Sequence, residues 1–270
     1  MFTRIVFPES QALVSALSAG PIAPGDGVGD TDATLVKRTC RVDGVLLKPD
    51  RPALAVDRQW EEYVFESGGL VSGDVTHTRT TLSMGGGGGD GGAEEGVLVF
   101  VFVLGIGLDH EWEVSLAADI GDLRPGHYLA WARGYGDPFS PPNKDTLLSL
   151  QIPASDNGND LLGGQPSLHL NSTSASEWGH YTLWRVTPFT CNGQGWALLG
   201  EMEKFISVSR QRVKSVTVRC GHVTGMMLAL LGSPGERVHM TFYSPTLMKV
   251  QTETAVIGGD GSGAVSVGAV

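Results

Sequence analysis

The chain has 270 residues, 41% of them apolar, enough for one large domain or two small ones with a real core. Charged residues make up only 18% and there are 38 glycines, a profile that suits strands and turns better than a helical bundle. A formal charge of −10 argues against nucleic acid and an anionic membrane surface as partners, because both need clustered Lys and Arg.

In chain order, Ser10–Gly20 places Leu13, Ala16 and Leu17 at helical spacing, with Ser10 as a candidate N-cap. Pro21–Asp26 reads as a short extended piece. A second helix follows, with Thr31 or Asp32 as cap and Leu35, Val36 and Cys40 on one face. Asp43-Gly44 signals a turn, and Pro49 and Pro52 forbid a regular central strand beyond Leu47. Helix and strand thus alternate over residues 1–60, as in βα units of a parallel sheet or barrel.

From Trp60 onward short β-rich runs are separated by Gly, Asn, Asp and Pro, the pattern of an antiparallel sandwich over residues 61–270. Two flexible insertions are expected. Residues 84–96 form a glycine-rich hairpin loop, and residues 136–177 a polar, poorly packed stretch. Gly96–Leu108 is the greasiest run. It is too short to span a bilayer and reads as a buried strand. The tail from Gly258 adds one edge strand or frays. The fold class is therefore mainly β, an antiparallel β-sandwich preceded by a short α/β segment.

Chemical motifs are sparse. Gly20 and Gly25 have P-loop spacing, but Asp26 and Gly27 stand where a phosphate cradle needs Lys and Ser or Thr. Asp30 takes the place of the third glycine of a dinucleotide fingerprint. Asp26, Asp30 and Asp32 do not have EF-hand spacing and serve better as turn and cap residues. Cys40, Cys191 and Cys220 are odd in number and widely spaced, so no disulfide framework is expected. Cys220 with His222 offers too few ligands for zinc. No metal or cofactor is expected. The seven histidines are scattered singly, each reading as structural or surface. Trp178, Trp184 and Trp196 are sandwich core or, failing that, sugar-stacking platforms. No signal peptide or membrane-spanning segment is visible, and compartment and oligomeric state stay open.

Residues 11–60 resemble the late barrel segment of the plant-type glycoside hydrolases: raffinose synthases, seed-imbibition proteins and alkaline α-galactosidases. The likeness is carried by "LSAGPI", Asp26, "LVKR", "DG", "LLK", "RP" and Asp57, in the family's order and approximate spacing. It implies a remnant of a (β/α)8 barrel followed by the family's β-sandwich. It also implies that both catalytic aspartates, which sit on earlier barrel strands, are missing. The expectation is a fragment or degenerate relative of an enzyme acting on α-galactosides, not competent for catalysis alone. An oligosaccharide is the expected ligand. By the same resemblance Asp26 lies at a strand's C-terminal end, and Lys48, Arg51 and Asp57 reach sugar hydroxyls. Read as residues alone, Asp26 caps, Arg51 and Asp57 pair, and Lys48 is solvated. The alternative function is a non-catalytic carbohydrate-binding or protein-interaction β-sandwich.

Overall fold

The computed structural model describes residues 7–27, 29–65, 73–86, 96–108, 111–121, 123–153, 166–170 and 180–268. The protein is mainly β. Two helices, α1 (Pro8–Leu17) and α2 (Ala33–Thr39), precede strand β1 (Leu54–Ala55) and helix α3 (Asp57–Phe65). The long hairpin β2 (Asp74–Gly86) and β3 (Gly96–Ile106) follows. Next come β4 (Trp112–Ser115), a π-helical turn (Leu116–Ile120), β5 (Gly126–Gly134), β6 (Leu148–Ile152) and β7 (Ser167–Leu170). The last strands are β8 (Tyr181–Pro188), β9 (Ala197–Gly200), β10 (Val213–Arg219), β11 (Gly225–Leu231), β12 (Arg237–Ser244), β13 (Lys249–Val256) and β14 (Ser262–Gly268).

One large sheet runs β14-β11-β10-β2-β3-β8-β5-β6, with β1 also on β2. Every pairing in it is antiparallel except β10 with the end of β2, which is parallel over Val216↔Met84 to Val218↔Gly86. β2 therefore shares one edge between β1 at its start and β10 at its end. Two smaller sheets, β13-β12-β9 and β4-β7, pack on it.

The long apolar run becomes β3, and its alternation explains the layering. Leu98 and Phe100 enter the core shared with Leu198, Met240 and Phe242 of the second sheet. Phe102 and Leu104, further along the same face, pack with Leu13 and Leu17 of α1 and with Phe205. Val101 and Val103 point the opposite way, into a core with Val114, Leu168 and Leu170 of the β4-β7 ribbon. A strand covered on both faces has no polar side to show, hence the unbroken apolar sequence.

The N-terminal segment folds as its patterns require in part. Leu13, Ala16 and Leu17 are buried as expected, but α1 begins at Pro8, whose missing N–H costs nothing in a first turn. Ser10 is thus not the cap but lies buried within the helix. Asp32 resolves the choice of cap for α2, its Oδ1 accepting the Thr34 and Leu35 amides at 2.7 and 3.3 Å. Gly44, at φ +81°, closes the turn in which Cys40 bridges Leu46. The strand expected at Pro21–Asp26 does not form: that stretch has no ladder partner. β1 then joins β2 antiparallel rather than in a parallel βα unit.

Three further expectations change. Residues 136–177 are not a plain insertion, because β6 and β7 lie within them and bury Ile152, Leu168 and Leu170. Residues 154–165 and 171–177 of that stretch, and Trp178 after it, fall outside the described residues. The glycine-rich hairpin is in continuous register from Asp74↔Ile106 to Met84↔Gly96, and its residues 87–95 are outside the description. Cys191 and Cys220 form a disulfide, tying the turn after β8 to the turn after β10. Spacing alone hides such a pair, since sandwich topology brings together turns 29 residues apart. The tail forms β14, the edge strand on β11.

Arg212 is the main polar anchor. Its side chain, 1% exposed, donates from Nε to Glu201 Oε2 at 2.7 Å, from Nη2 to Glu236 Oε1 at 2.6 Å and from Nη1 to the Leu231 carbonyl at 2.7 Å. Burial pushes the Glu201 carboxyl up. Burial acts the same way on Glu236, but the Arg212 and Ser233 hydrogen bonds outweigh it and hold that carboxyl low. Removing one partner of a buried ion network strands the others. We predict that Arg212→Met lowers unfolding free energy by about 3–5 kcal/mol in urea denaturation. Replacing Arg212, Glu201 and Glu236 together by apolar residues should cost less than the single change.

Candidate functional site

A cleft of about 230 Å³ opens between β1, the start of α3, β2 and the π-helical turn. It is lined by Arg51, Leu54, Ala55, Asp57, His77 and the residues from Ala118 to Gly121. Each wall has a local cause. Arg51 is fixed by its own carbonyl, which accepts the Thr78 hydroxyl at 2.5 Å. Beside it, Asp50 Oδ2 accepts the Thr81 amide at 2.8 Å. β1 pairs Leu54 with His77, so the imidazole sits opposite the strand that forms the rim. Gln59 braces the floor from below, donating to the Gly73 carbonyl and accepting from the Val75 amide, both at 3.0 Å. On the far wall Asp119 Oδ2 accepts the Ser115 amide at 2.7 Å, and the Ser115 hydroxyl caps the turn at Ala118.

The cleft gathers one guanidinium, two carboxylates and an imidazole. His77 is 8% exposed, and its Nδ1 has no hydrogen-bond partner among the described residues. Burial lowers its proton affinity first and Arg51 lowers it further, with Arg79 adding to this. Asp57 and Asp119 oppose them without winning. His77 is therefore neutral at pH 7, its unpartnered Nδ1 turned away from solvent while its ring lines the cleft. Among the described residues, no group of three His, Cys, Asp or Glu side chains is arranged to hold a metal ion.

Of the four residues expected at a site, Arg51 and Asp57 meet here. Asp26 does not: it is exposed in the irregular stretch before α2. Lys48 is held elsewhere by its backbone, its amide donating to Ser209 Oγ at 3.1 Å and its carbonyl accepting from that hydroxyl at 2.9 Å. Reading the sequence missed His77 and Asp119. Alternation in β2 puts His77 on the face of buried Val75, so a polar residue in an apolar register was the available signal for it. Nothing in the sequence around Asp119 marks it.

The aromatic residues divide clearly. Trp184 and Trp196 belong to the cores, the former donating Nε1–H to the His169 carbonyl at 2.8 Å. Trp112 and Trp131 are buried too. Sheet faces thus present no tryptophan platform among these four. Trp60 is 59% exposed and stands one turn along α3 from Asp57, on the same side of the helix.

No protein-family model and no curated protein matches the chain. The cleft's chemistry therefore stands on its own residues.

Between an unfolded imidazole that protonates near pH ~6.5 and a folded one that protonates lower, the unfolded chain binds more protons. Stability should accordingly fall as pH drops below that point. We expect His77→Gln to flatten this part of a stability–pH profile measured by thermal unfolding.

Proposed function

We propose that this protein is a sugar-binding β-sandwich related to the α-galactosidase and raffinose synthase enzymes, and that its cleft takes one hexose unit of an α-galactoside without hydrolysing it. The observation that carries the reading is the convergence of Arg51, Asp57, His77 and Asp119 on one small cleft. A sugar ring presents vicinal hydroxyls, each both donor and acceptor. Guanidinium N–H groups suit their lone pairs, while carboxylates and a neutral ring nitrogen suit their protons. Trp60, exposed one turn along α3 from Asp57, offers an aromatic face for the apolar side of such a ring. The volume is below the ~300 Å³ at which pockets for larger ligands begin, which favours a single hexose over an oligosaccharide buried along its length.

The place of the cleft supports binding without turnover. The family's catalytic aspartates belong to barrel strands, whereas this cleft is built on a sheet edge, a helix start and a turn. A protein-interaction role is favoured by a different observation, the exposed Val64 and Phe65 at the end of α3.

Calorimetric titration with methyl α-galactoside and raffinose separates the two. A dozen ligand atoms at ordinary efficiency give a Kd of about 1 mM. Arg51→Ala or Asp57→Asn should weaken binding at least tenfold, Trp60→Ala less. An aryl α-galactoside should bind but not turn over. Absence of any heat with either sugar would sink the sugar reading and leave the protein-interaction one.

A further inference from the structure

A second cluster of charge lies far from sugar chemistry, beneath α1 and α2. It does not depend on the reading of the cleft. Arg185 of β8 is fully buried, at 2% exposure, among Tyr181, Leu183 and Phe205. Its one hydrogen bond among the described residues is a long contact from Nη2 to the Phe205 carbonyl, 3.4 Å, and its Nε has no partner. Arg133 of β5, 6% exposed, stands close enough to lower the Arg185 proton affinity, after burial itself. Even so Arg185 titrates at about 10 and remains charged at neutral pH.

Arg38, in the last turn of α2, completes the group. Its guanidinium stacks 3.6 Å from the centre of the Phe139 ring, and that of Arg133 lies 3.3 Å from the same centre. Phe139 in turn meets Phe205 edge to face at 5.4 Å. Arg38 and Arg133 therefore share the Phe139 ring, and Arg185 lies beside Arg133 and the Phe205 carbonyl.

The opposing charge is small. Glu9 Oε1 accepts from Arg133 Nη2 at 2.7 Å and from the Tyr181 hydroxyl at 2.5 Å, while Arg133 Nη1 donates to that hydroxyl. Glu9 is thus committed to Arg133. Asp137 offers Arg133 only its carbonyl, its carboxylate accepting the Gly134 amide at 2.5 Å. Asp32 is occupied at the cap of α2. None of these carboxylates is hydrogen-bonded to Arg185, whose burial without a counter-charge is strongly unfavourable.

We propose that the Arg185 guanidinium, with Arg133, holds a small inorganic anion of halide size inside the fold. Size follows from the surroundings. Arg185 and Tyr181 are nearly sealed from solvent, which favours a single-atom ion over a sulfate or a ligand's carboxylate. Charge-assisted N–H donors satisfy such an ion without any group needing to deprotonate. The anion is a structural constituent: it balances the guanidiniums on which α1, α2, β5 and β8 converge.

Crystals of the full chain grown in sodium bromide test this directly. The anomalous map should show bromide within hydrogen-bonding distance of Arg185. In solution the melting temperature should be several degrees higher in sodium chloride than in sodium gluconate at equal ionic strength. That difference should vanish in Arg185→Met, a comparison that cancels general salt effects. A map with no bromide at Arg185, or water alone there, overturns the proposal, and the wild-type crystal decides even if Arg185→Met does not fold. A wild-type melting temperature indifferent to the anion overturns it as well.

Discussion

The buried guanidinium of Arg212 is the constraint from which the candidate site follows. It fixes Glu201 after β9 and Glu236 before β12, so the segment leading into β10 has one position. That segment receives the N-terminal hairpin. Arg41 donates to the Gln211 carbonyl at 2.8 Å, the Val42 amide to Glu236 Oε1 at 3.4 Å, and Ser209 bonds Lys48 through both amide and carbonyl. Gly200 permits the arrangement, since a Cβ there would collide with the Ser207 carbonyl. Once Lys48 is placed, Asp50 and Arg51 reach β2 through Thr81 and Thr78, and β1 takes its register opposite His77. The cleft is the end of this chain of hydrogen bonds rather than a feature of the residues that line it.

This dependence sets the relation between stability and binding. The core that holds β2 and β3 is apolar on both faces and rigid, while the opposite wall of the cleft is a short π-helical turn capped by Ser115. One wall therefore belongs to the sheet and the other to a local device. A site built in this way keeps its imidazole and guanidinium in place without a ligand, and asks of the ligand little reorganisation.

Local signals in the sequence were readable where one short segment determines the outcome. The face of α1, a cap at Thr31 or Asp32, the Asp43-Gly44 turn and the buried β3 each follow from spacing within about a dozen residues. Features that depend on distant segments were not readable. Cys191 finds Cys220 only because two turns of the sandwich meet, and β10 joins β2 in parallel only because β1 leaves that edge free beyond His77. β6 and β7 escaped notice because polar neighbours dilute their short apolar patterns. In the cleft, Arg51 and Asp57 were reached through a family likeness, whereas His77 and Asp119 are joined to them solely by tertiary placement.

The account stands or falls on whether His77 meets a ligand. Nitrogen NMR of the histidine rings, recorded at neutral pH as methyl α-galactoside is added, observes that ring. One ring, absent from spectra of His77→Gln, should shift progressively while the other histidines stay in place. A sugar-saturated spectrum with the His77 ring unmoved would contradict it.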